Sequence, residues 1–226
     1  MWWFRGLHAN LLAQLPGERV ADGPVLDAGC GTGGFLARFA AAIPGAMLVG
    51  LELDPHAAGV ARRKSECPVC VGSVEGLPFA DGSFEAVVSA DVLCHAGVDE
   101  RGALVAFRRC LRPGGILVLN LPAYRWLYSA HDAAVANVRR YGRDEVELML
   151  RESGFAGVHT RYWNTLLFPM MVLRRKLWRS AGSDVALLPA PVERAFAAIM
   201  ALERWVAARG VPLPFGGSIL ATAVKP

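Results

Sequence analysis

Residues 25–34 read Val25-Leu26-Asp27-Ala28-Gly29-Cys30-Gly31-Thr32-Gly33-Gly34, and this stretch decides the fold. A short apolar run ends in an acid, and closely spaced glycines follow before a helical pattern begins. Glycine lets the backbone turn tightly and approach a ligand closely. Such a loop between a strand and a helix predicts a ligand site at the carboxyl end of the strand.

Strands and helices alternate outward from this stretch as far as Pro122. The predicted strands are apolar runs at residues 24–27, 47–53, 69–72, 84–90 and 116–121. Helical patterns separate them at residues 33–42, 54–65 and 99–111. Asp54-Pro55 is a typical helix start, because the acid caps the helix and proline suits its first position. The alternation predicts an α/β, Rossmann-like fold with a doubly wound, mostly parallel sheet.

The flanking segments complete the predicted fold. A helix precedes the first strand at residues 2–15, and an insert rich in aromatic and charged residues follows the fifth strand at 124–143. The remaining elements are helices at 144–153, 164–179 and 192–209 and strands at 155–162 and 217–224. The prediction is therefore a seven-stranded sheet with a helical cap.

We treat residues 1–226 as a single domain of four parts. These are an N-terminal helix or lid (1–22), a cofactor-binding core (23–121), an insert with a C-terminal helical cap (122–215) and a last strand (216–226).

Charge and cysteine content exclude several classes of function. The net charge is +4, but the basic clusters are separated and lack interleaved aromatic residues, which argues against a nucleic-acid partner. Anionic small molecules or anionic lipid headgroups suit such clusters better. The cysteines number five, an odd count typical of a reducing compartment. The pair Cys67 and Cys70 lacks a second pair of ligands, so we predict no metal site.

The pattern of apolar residues predicts a cytoplasmic protein. No apolar run reaches the roughly 18–20 residues that a membrane-spanning helix requires. Residues 1–5 lack the features of a signal peptide.

Two kinds of ligand fit the glycine loop. Gly29, Gly31 and Gly34 satisfy the dinucleotide pattern G-x-G-x-x-G, and Glu52 provides the acid expected about 20 residues later for ribose hydroxyls. Asp27 would repel an anionic pyrophosphate, whereas it suits a cationic ligand and can hold the N–H groups of the loop. S-adenosylmethionine carries both a sulfonium and an ammonium group, and we prefer it, with a nicotinamide-dependent oxidoreductase as the alternative.

The chain resembles the class I S-adenosylmethionine-dependent methyltransferases, in particular the type 11 branch that includes ubiquinone biosynthesis enzymes. The resemblance is carried by the first motif at 25–33, the second at 49–54, the third at 71–79 with 81–85, and the turn at 111–115. It implies that S-adenosylmethionine is bound by Asp27, Gly29, Cys30, Gly31, Thr32, Gly33, Glu52, Leu53, Ser73, Val74 and Ala90. Many members have aspartate at the position of Ser73, where a serine hydroxyl makes a weaker hydrogen bond to adenine.

A bacterial subgroup of this family is similar over nearly the whole chain. The similarity extends to residues 2–6, to 122–141 and to 213–218. Members often serve polysaccharide or lipid-linked glycan pathways, and they usually carry histidine where this chain has Asn137.

Candidate acceptor residues follow the fourth and fifth strands, which are expected to open beside the transferred methyl group. We predict His131, next to Asp132, or His95 as a base; the alternatives are an anchor of the insert and packing against the methionine part of the cofactor. Tyr124 is predicted to line the acceptor site or to lie in the core.

A cluster of Arg139, Arg140 and Tyr141 is predicted to grip a phosphate or carboxylate of the substrate. The alternative is a solvated charge run paired with Asp132, Asp144 or Glu145.

Two apolar segments remain. Trp2, Trp3 and Phe4 begin a helix that forms a lid over the cofactor or packs on the sheet. Residues 165–179 combine an apolar stretch, the basic run 174–176 and Trp178, which is typical of an interfacial helix that contacts the inner face of a membrane. A substrate cover, a dimer contact and core packing are the alternatives.

The sequence thus predicts methyl transfer from S-adenosylmethionine to a small-molecule or lipid-linked acceptor, at oxygen. A non-catalytic S-adenosylmethionine-binding partner protein is the main alternative. Nothing in the sequence identifies the acceptor or the oligomeric state.

Overall fold

The structure of the chain is a computed structural model that describes residues 1–15, 17, 20, 23–177 and 188–226. The strands in these residues are β1 (Val25–Ala28), β2 (Leu48–Glu52), β3 (Val69–Val71), β4 (Phe84–Ala90), β5 (Leu111–Pro122), β6 (Ala156–Trp163) and β7 (Ser218–Val224). The helices are α1 (Trp2–Leu12), α2 (Gly34–Ala42), α3 (Pro55–Ser65), α4 (Glu100–Cys110), α5 (Ala130–Ala134), α6 (Arg143–Glu152), α7 (Phe168–Leu177) and α8 (Ala190–Ala208), with a 3₁₀ turn at Arg125–Leu127.

The strands form one seven-stranded sheet in the order β3-β2-β1-β4-β5-β7-β6. β1 to β5 are parallel, and β7 runs antiparallel to both β5 and β6. The predicted Rossmann-like, mostly parallel sheet is therefore confirmed. The chain passes from β1 outward to β3 and then returns to β4 on the other side of β1. A crevice forms at the carboxyl ends of strands where the order reverses in this way.

Hydrophobic cores cover both faces of the sheet because successive residues of a strand point to opposite sides. In β5, Leu117 and Leu119 belong to the core beneath α4 and α6, whereas Val118 belongs to the other core, with α1, α2 and α3. Apolar side chains thus cover both faces of the sheet. This leaves the ends of the strands for a ligand site.

β5 begins earlier than predicted. Sequence analysis placed a turn at residues 112–115 before a strand at 116–121. The structure keeps this turn as a bulge inside the strand pairing, because Phe84 pairs with Leu111 and Ala86 already pairs with Ile116. The N–H of Gly114 donates to the carbonyl of Lys225, so the turn is tied to the end of the last strand.

The N-terminal helix α1 packs on the sheet and on α8, in agreement with one of the two predicted arrangements. The Trp3 ring stacks on Trp163 of β6 with centroids 4.7 Å apart, and Trp2 meets Phe196 of α8 edge to face at 5.3 Å. Leu11 is fully buried beneath the helix. α1 is therefore part of the core.

The helix after β6 begins at Phe168, four residues later than predicted. Asn164 has a positive φ of 60°, which ends the strand in a sharp turn. The buried Glu203 of α8 accepts hydrogen bonds from the backbone N–H groups of Asn164, Thr165 and Leu166. The N–H groups of the turn before α7 are therefore satisfied by a side chain of α8. The predicted residues Trp178 and Arg179 lie outside the described residues.

Candidate active site

The glycine loop joins β1 to α2 at the crevice. Gly31 has a φ of 54°, and a Cβ atom added there would meet no atom within 4 Å. Gly33 has a φ of 73°, and an added Cβ would lie 2.7 Å from the Cα of Ala61 in α3. Gly33 therefore allows α3 to approach closely, while Gly31 leaves space that a ligand can enter.

Glu52, at the end of β2, holds the loop. Its carboxylate accepts hydrogen bonds from the N–H of Gly31 at 2.8 Å and of Asp54 at 3.1 Å. The N–H groups of Gly29 and Cys30 donate to the carbonyl of Leu51. The expectation that Asp27 holds these N–H groups is not met, because the neighbouring strand β2 supplies the acceptors.

The Asp27 carboxyl group instead has an oxygen that receives no hydrogen bond from the described residues. The residue is only 4% exposed, and its Oδ2 atom is buried without a hydrogen-bond partner among the described residues. Burial, together with the charge of Glu52, raises the pKa of Asp27 to about 7. A buried acceptor without a donor is costly, so a donor or cation from outside the chain would be favourable here.

These features fit S-adenosylmethionine. Open space at Gly31 can admit the methionine part, the Oδ2 of Asp27 can accept from its ammonium group, and Glu52 is placed for the ribose hydroxyls. On the adenine side Val74 is buried, and Leu53 exposes 69% of its surface at the rim. The Ser73 hydroxyl accepts a hydrogen bond from the N–H of Glu75 at 3.2 Å.

The other predicted cofactor residues lie close by. Cys30 is buried, and burial with the charges of Asp27 and Glu52 raises its pKa to about 12, so its thiol stays neutral. Thr32 is exposed in the loop, and Ala90 ends β4.

The insert folds against the loop that follows β4. His95 forms an isolated β-bridge with Asn137, and the Arg139 guanidinium donates to the carbonyls of Leu93 and His95 at 3.1 and 3.2 Å. Arg139 also pairs with Glu100 of α4 at 3.3 Å. The structure thus brings His95 and Arg139 together, but it commits Arg139 to the protein itself.

Arg140 and Tyr141 lie inside this arrangement. Arg140 is 5% exposed, pairs with Asp132 at 2.7 Å and donates to the carbonyl of Ala123. Tyr141 is buried and donates its hydroxyl to the carbonyl of Leu93 at 3.0 Å. A substrate-gripping role for these two side chains does not fit such contacts, because their donors are used within the insert. Arg140 is instead paired with Asp132, one of the acids named in the alternative, but the pair is buried and not solvated.

His131 lies in the short helix α5. Its neighbour Asp132 is fully buried and binds Ser129, Arg140 and Arg175. Burial opposes ionisation, yet the hydrogen bond and charge of Arg140 outweigh it and keep the pKa of Asp132 low. Asp132 therefore anchors the insert, whereas the alternative had assigned that role to His131, whose own role stays a prediction.

Tyr124 belongs to an aromatic cluster beyond the end of β5. Its ring stacks on Tyr162 at 5.2 Å and lies within 5.6 Å of the rings of Trp126 and Phe168. Tyr124 has a positive φ of 61°, which turns its side chain out of the line of the strand. The cluster is half-open, since Trp126 exposes 51% of its surface. The sequence predicted Tyr124 but not its partners, which come from the 3₁₀ turn, β6 and α7.

Asp91 was not predicted. It follows β4 directly, has a φ of 55° and accepts a hydrogen bond from Asn120 of β5 at 2.9 Å. The sequence does show an acid at the end of the strand that pairs with β1. Its partner Asn120 is 29 residues away, however, and the two meet only because β4 pairs with β5.

α7 presents an apolar face beside a basic run. Met170 and Leu173 expose 44% and 56% of their surface, and Leu166 exposes 49% just before the helix. Within the described ranges, no helix is long and apolar enough to cross a membrane. No group of three or more potential metal ligands occurs in that part of the chain.

Comparison with known proteins agrees with this geometry. Residues 26–119 match the family described as "Methyltransferase domain". A 24-methylenesterol C-methyltransferase 2 from rice is 33% identical over 65% of this chain and 44% of its own length. A malonyl-[acyl-carrier protein] O-methyltransferase from Geobacter sulfurreducens is 32% identical over 66% of this chain and 61% of its own length. The chain thus spans about half the length of the curated relatives it matches.

Solved structures share the fold. Phosphoethanolamine N-methyltransferase 2 of Haemonchus contortus, in complex with S-adenosyl-L-methionine, superposes with a TM-score of 0.65 at 19% identity, over 97% of this chain and 52% of that chain. The matched family, the curated relatives and this shared fold agree with the orphaned Asp27 and the open glycine loop. Residues 26–119 thus match the methyltransferase-domain family, and the chain as a whole shares the fold of an S-adenosylmethionine-dependent methyltransferase.

Proposed function

We propose that the chain transfers the methyl group of S-adenosylmethionine to a hydroxyl oxygen of a small-molecule or lipid-linked acceptor. The observation that carries the proposal is the buried, unpartnered Oδ2 of Asp27 beside the open space at Gly31. A buried acid without a donor suits the cationic cofactor and disfavours a dinucleotide pyrophosphate.

The cofactor supplies an activated methyl group on sulfur, and the protein has to align an acceptor with it and exclude water. Glu52 holds the loop through Gly31 and is proposed to bind the ribose. Asp27 is proposed to accept from the ammonium group, and Leu53, Ser73 and Val74 to border the adenine.

We place the acceptor between the loop after β4 and the aromatic cluster. Tyr124, Trp126 and Phe168 form an apolar, half-open wall there, which suits a flat or apolar acceptor. His95 and His131 are proposed to face the same crevice, where either could act as a base. Arg139 lies beside this loop, where it contacts Leu93, His95 and Glu100.

The segment 165–177, with residues 178 and 179 beyond the described range, is proposed to contact an anionic membrane surface. Exposed Leu166, Met170 and Leu173 stand next to the basic run 174–176. Apolar side chains that enter the interface and basic residues that face headgroups are typical of such helices. This would place the protein at the cytoplasmic face of a membrane, with access to a lipid-linked acceptor.

The names of the relatives leave the methylated atom open, since they are those of C-, O- and N-methyltransferases. We propose oxygen because a hydroxyl acceptor needs a base, and the candidate bases His95 and His131 follow β4 and β5. A cofactor-binding partner without catalysis is the remaining alternative. An oxidoreductase that uses a nicotinamide cofactor would have to place a pyrophosphate beside Asp27.

The test measures transfer of labelled methyl from S-adenosylmethionine into cell extract, followed by separation of lipid and aqueous phases. We expect label in one phase and loss of labelling in a Glu52→Ala variant. Calorimetry with S-adenosylhomocysteine and with NAD is the companion measurement. Binding of S-adenosylhomocysteine without labelling of any fraction would favour the non-catalytic partner, and binding of NAD alone would refute the proposal.

A further inference from the structure

We propose that Asp91 is the base that accepts the proton of a hydroxyl acceptor. The inference rests on the proposed function and narrows its substrate class to alcohols or phenols, whose proton must leave on methylation. Each C–O bond that forms as the methyl carbon leaves sulfur releases one proton. The Asp91 carboxylate takes this proton and later gives it to water.

Asp91 lies at the end of β4, next to β1. Asp91 follows the last residue of β4, so it stands at the crevice between β4 and β1, where the glycine loop opens. The neighbouring Val92 is the residue that an added Cβ at Gly29 would strike, at 2.3 Å. Asp91 is therefore beside the cofactor loop, and it remains partly exposed.

A hydrogen-bond chain orients the Asp91 carboxyl group. The indole N–H of Trp163 donates to Oδ1 of Asn120 at 2.7 Å, and Nδ2 of Asn120 donates to Oδ1 of Asp91 at 2.9 Å. An indole nitrogen can only donate, so the carbonyl oxygen of Asn120 must face Trp163. Its amide nitrogen must then face Asp91.

This orientation determines which carboxyl oxygen can be protonated. Oδ1 of Asp91 receives the N–H of Asn120, so it stays an acceptor in both protonation states. Oδ2 has no hydrogen-bond partner among the described residues, so it can take the proton without any rearrangement. Asn120 and Trp163 are both fully buried, which holds the carboxyl group in place.

The surrounding charges suit a base that works near neutral pH. Burial raises the pKa of Asp91 to about 7, although the hydrogen bond from Asn120 and the charge of Arg140 lower it. The titratable or charged groups on or against this loop include Cys94, His95, Arg139 and Tyr141. The Cys94 thiol is kept neutral by burial, and Asp132 is paired with Arg140. A base is most effective when its pKa lies near the working pH.

His95 and His131 are less well placed for this task. His95 makes its hydrogen bonds with Val92, Val98 and Arg139, and its β-bridge with Asn137, through its backbone. The acid next to His131 is committed to Ser129, Arg140 and Arg175. The Asp91 carboxyl group, by contrast, is oriented directly by the hydrogen bond from Asn120.

The first test compares an Asp91→Asn variant with the wild type in the labelled-methyl assay, on the extract phase that accepts label. We expect a loss of about 10²–10⁴-fold in rate with S-adenosylhomocysteine binding kept within about threefold. The wild-type rate should rise with pH through a midpoint near 7 and level off above it as Asp91 ionises, and the variant should lack this rise. Asp81→Asn removes an exposed acid at the opposite end of β4 and should retain the wild-type rate.

A second measurement needs no acceptor. The indole N–H signal of Trp163, identified with a Trp163→Phe variant, should shift in ¹H–¹⁵N spectra with a midpoint near pH 7 and lose this shift in Asp91→Asn.

The inference is overturned if Asp91→Asn keeps its rate while His95→Asn or His131→Asn loses it. It is overturned equally if Asp91→Asn loses S-adenosylhomocysteine binding, which would make Asp91 a cofactor ligand. A wild type that binds S-adenosylhomocysteine but labels nothing refutes the proposed function and this inference together, whereas the variant outcomes above refute the inference alone.

Discussion

Asp27 is a carboxyl group in a place where a carboxylate is unfavourable. It is buried, its Oδ2 lacks a donor among the described residues and Glu52 is nearby. Residues that serve a ligand often reduce the stability of the free protein in this way. The cost at Asp27 should therefore appear as a pH-dependent loss of stability that the cofactor reverses.

Asp27→Asn should stabilise the cofactor-free protein at pH 8. The pKa of Asp27 is raised to about 7, so its contribution to stability is present below pH 4 and is lost as pH rises through 7. The amide avoids the ionisation, and a gain of about 2–4 kcal/mol in the free energy of unfolding is expected at pH 8. Denaturant unfolding at pH 4.5 and 8 checks this; an equal gain at both values would contradict it.

S-adenosylmethionine should bind more tightly as pH rises from 6 to 8. The cationic ligand favours the ionised form of Asp27, so binding below its pKa must expel a proton, and the Kd should change by up to about tenfold per pH unit there. Calorimetry with the same ligand on Asp27→Asn is the control for titration of the ligand itself. A Kd in the wild type as insensitive to pH as in the variant would exclude this role of Asp27.

At the scale of elements, the insert between β5 and α6 depends on one buried ion pair. Arg140 and Asp132 join the last residues of the insert to α5, and Arg175 brings in α7. The pair joins two parts of the insert, and the neighbouring Arg139 and Tyr141 contact the loop that carries Asp91 and His95. The acceptor crevice is thus shaped by charges that do not face the substrate.

Arg140→Met should destabilise the protein by about 3–5 kcal/mol, because it leaves Asp132 buried with its main partner removed. Arg125→Gln is the matched control, since the Arg125–Glu145 pair is exposed and should contribute less than about 1 kcal/mol. Urea unfolding measures both. If the two variants were equally stable, the insert would not depend on the buried pair.

At the scale of the whole molecule, three surfaces meet around one crevice. In the proposed function, the glycine loop is the cofactor side, and the insert and the loop after β4 are the acceptor side. The aromatic cluster includes Phe168, the first residue of α7. An acceptor held in a membrane could reach the crevice along the apolar face of α7. The arrangement links the proposed chemistry to the proposed membrane contact.

Leu173→Ser combined with Arg174→Glu should abolish sedimentation with vesicles that contain phosphatidylglycerol. It removes an exposed apolar side chain and reverses one charge, while Arg175 is left on Asp132. Leu148→Ser, a similarly exposed leucine on α6, should leave sedimentation unchanged. Absence of wild-type binding, or equal binding to phosphatidylcholine vesicles, would refute an electrostatic membrane contact.

The sequence by itself determined the sheet, the class of ligand and the cofactor loop. Apolar runs, the Asp54-Pro55 helix start and the order acid, glycine, glycine are local signals, and local backbone preferences are enough to read them. Even there, the sequence assigned the loop's N–H groups to Asp27, whereas the neighbouring strand places Glu52 on them.

Only the tertiary structure decided what the charged residues of the insert do. Arg140 and Tyr141 resemble an exposed anion site in sequence, yet folding buries them on Asp132 and Leu93. Asp91 looked unremarkable until β4, β5 and β6 aligned it with Asn120 and Trp163. Asp91 and Asn120 are 29 residues apart, and Asn120 and Trp163 are 43 residues apart. The sheet brings these side chains together, and no local sequence pattern predicts that they will meet.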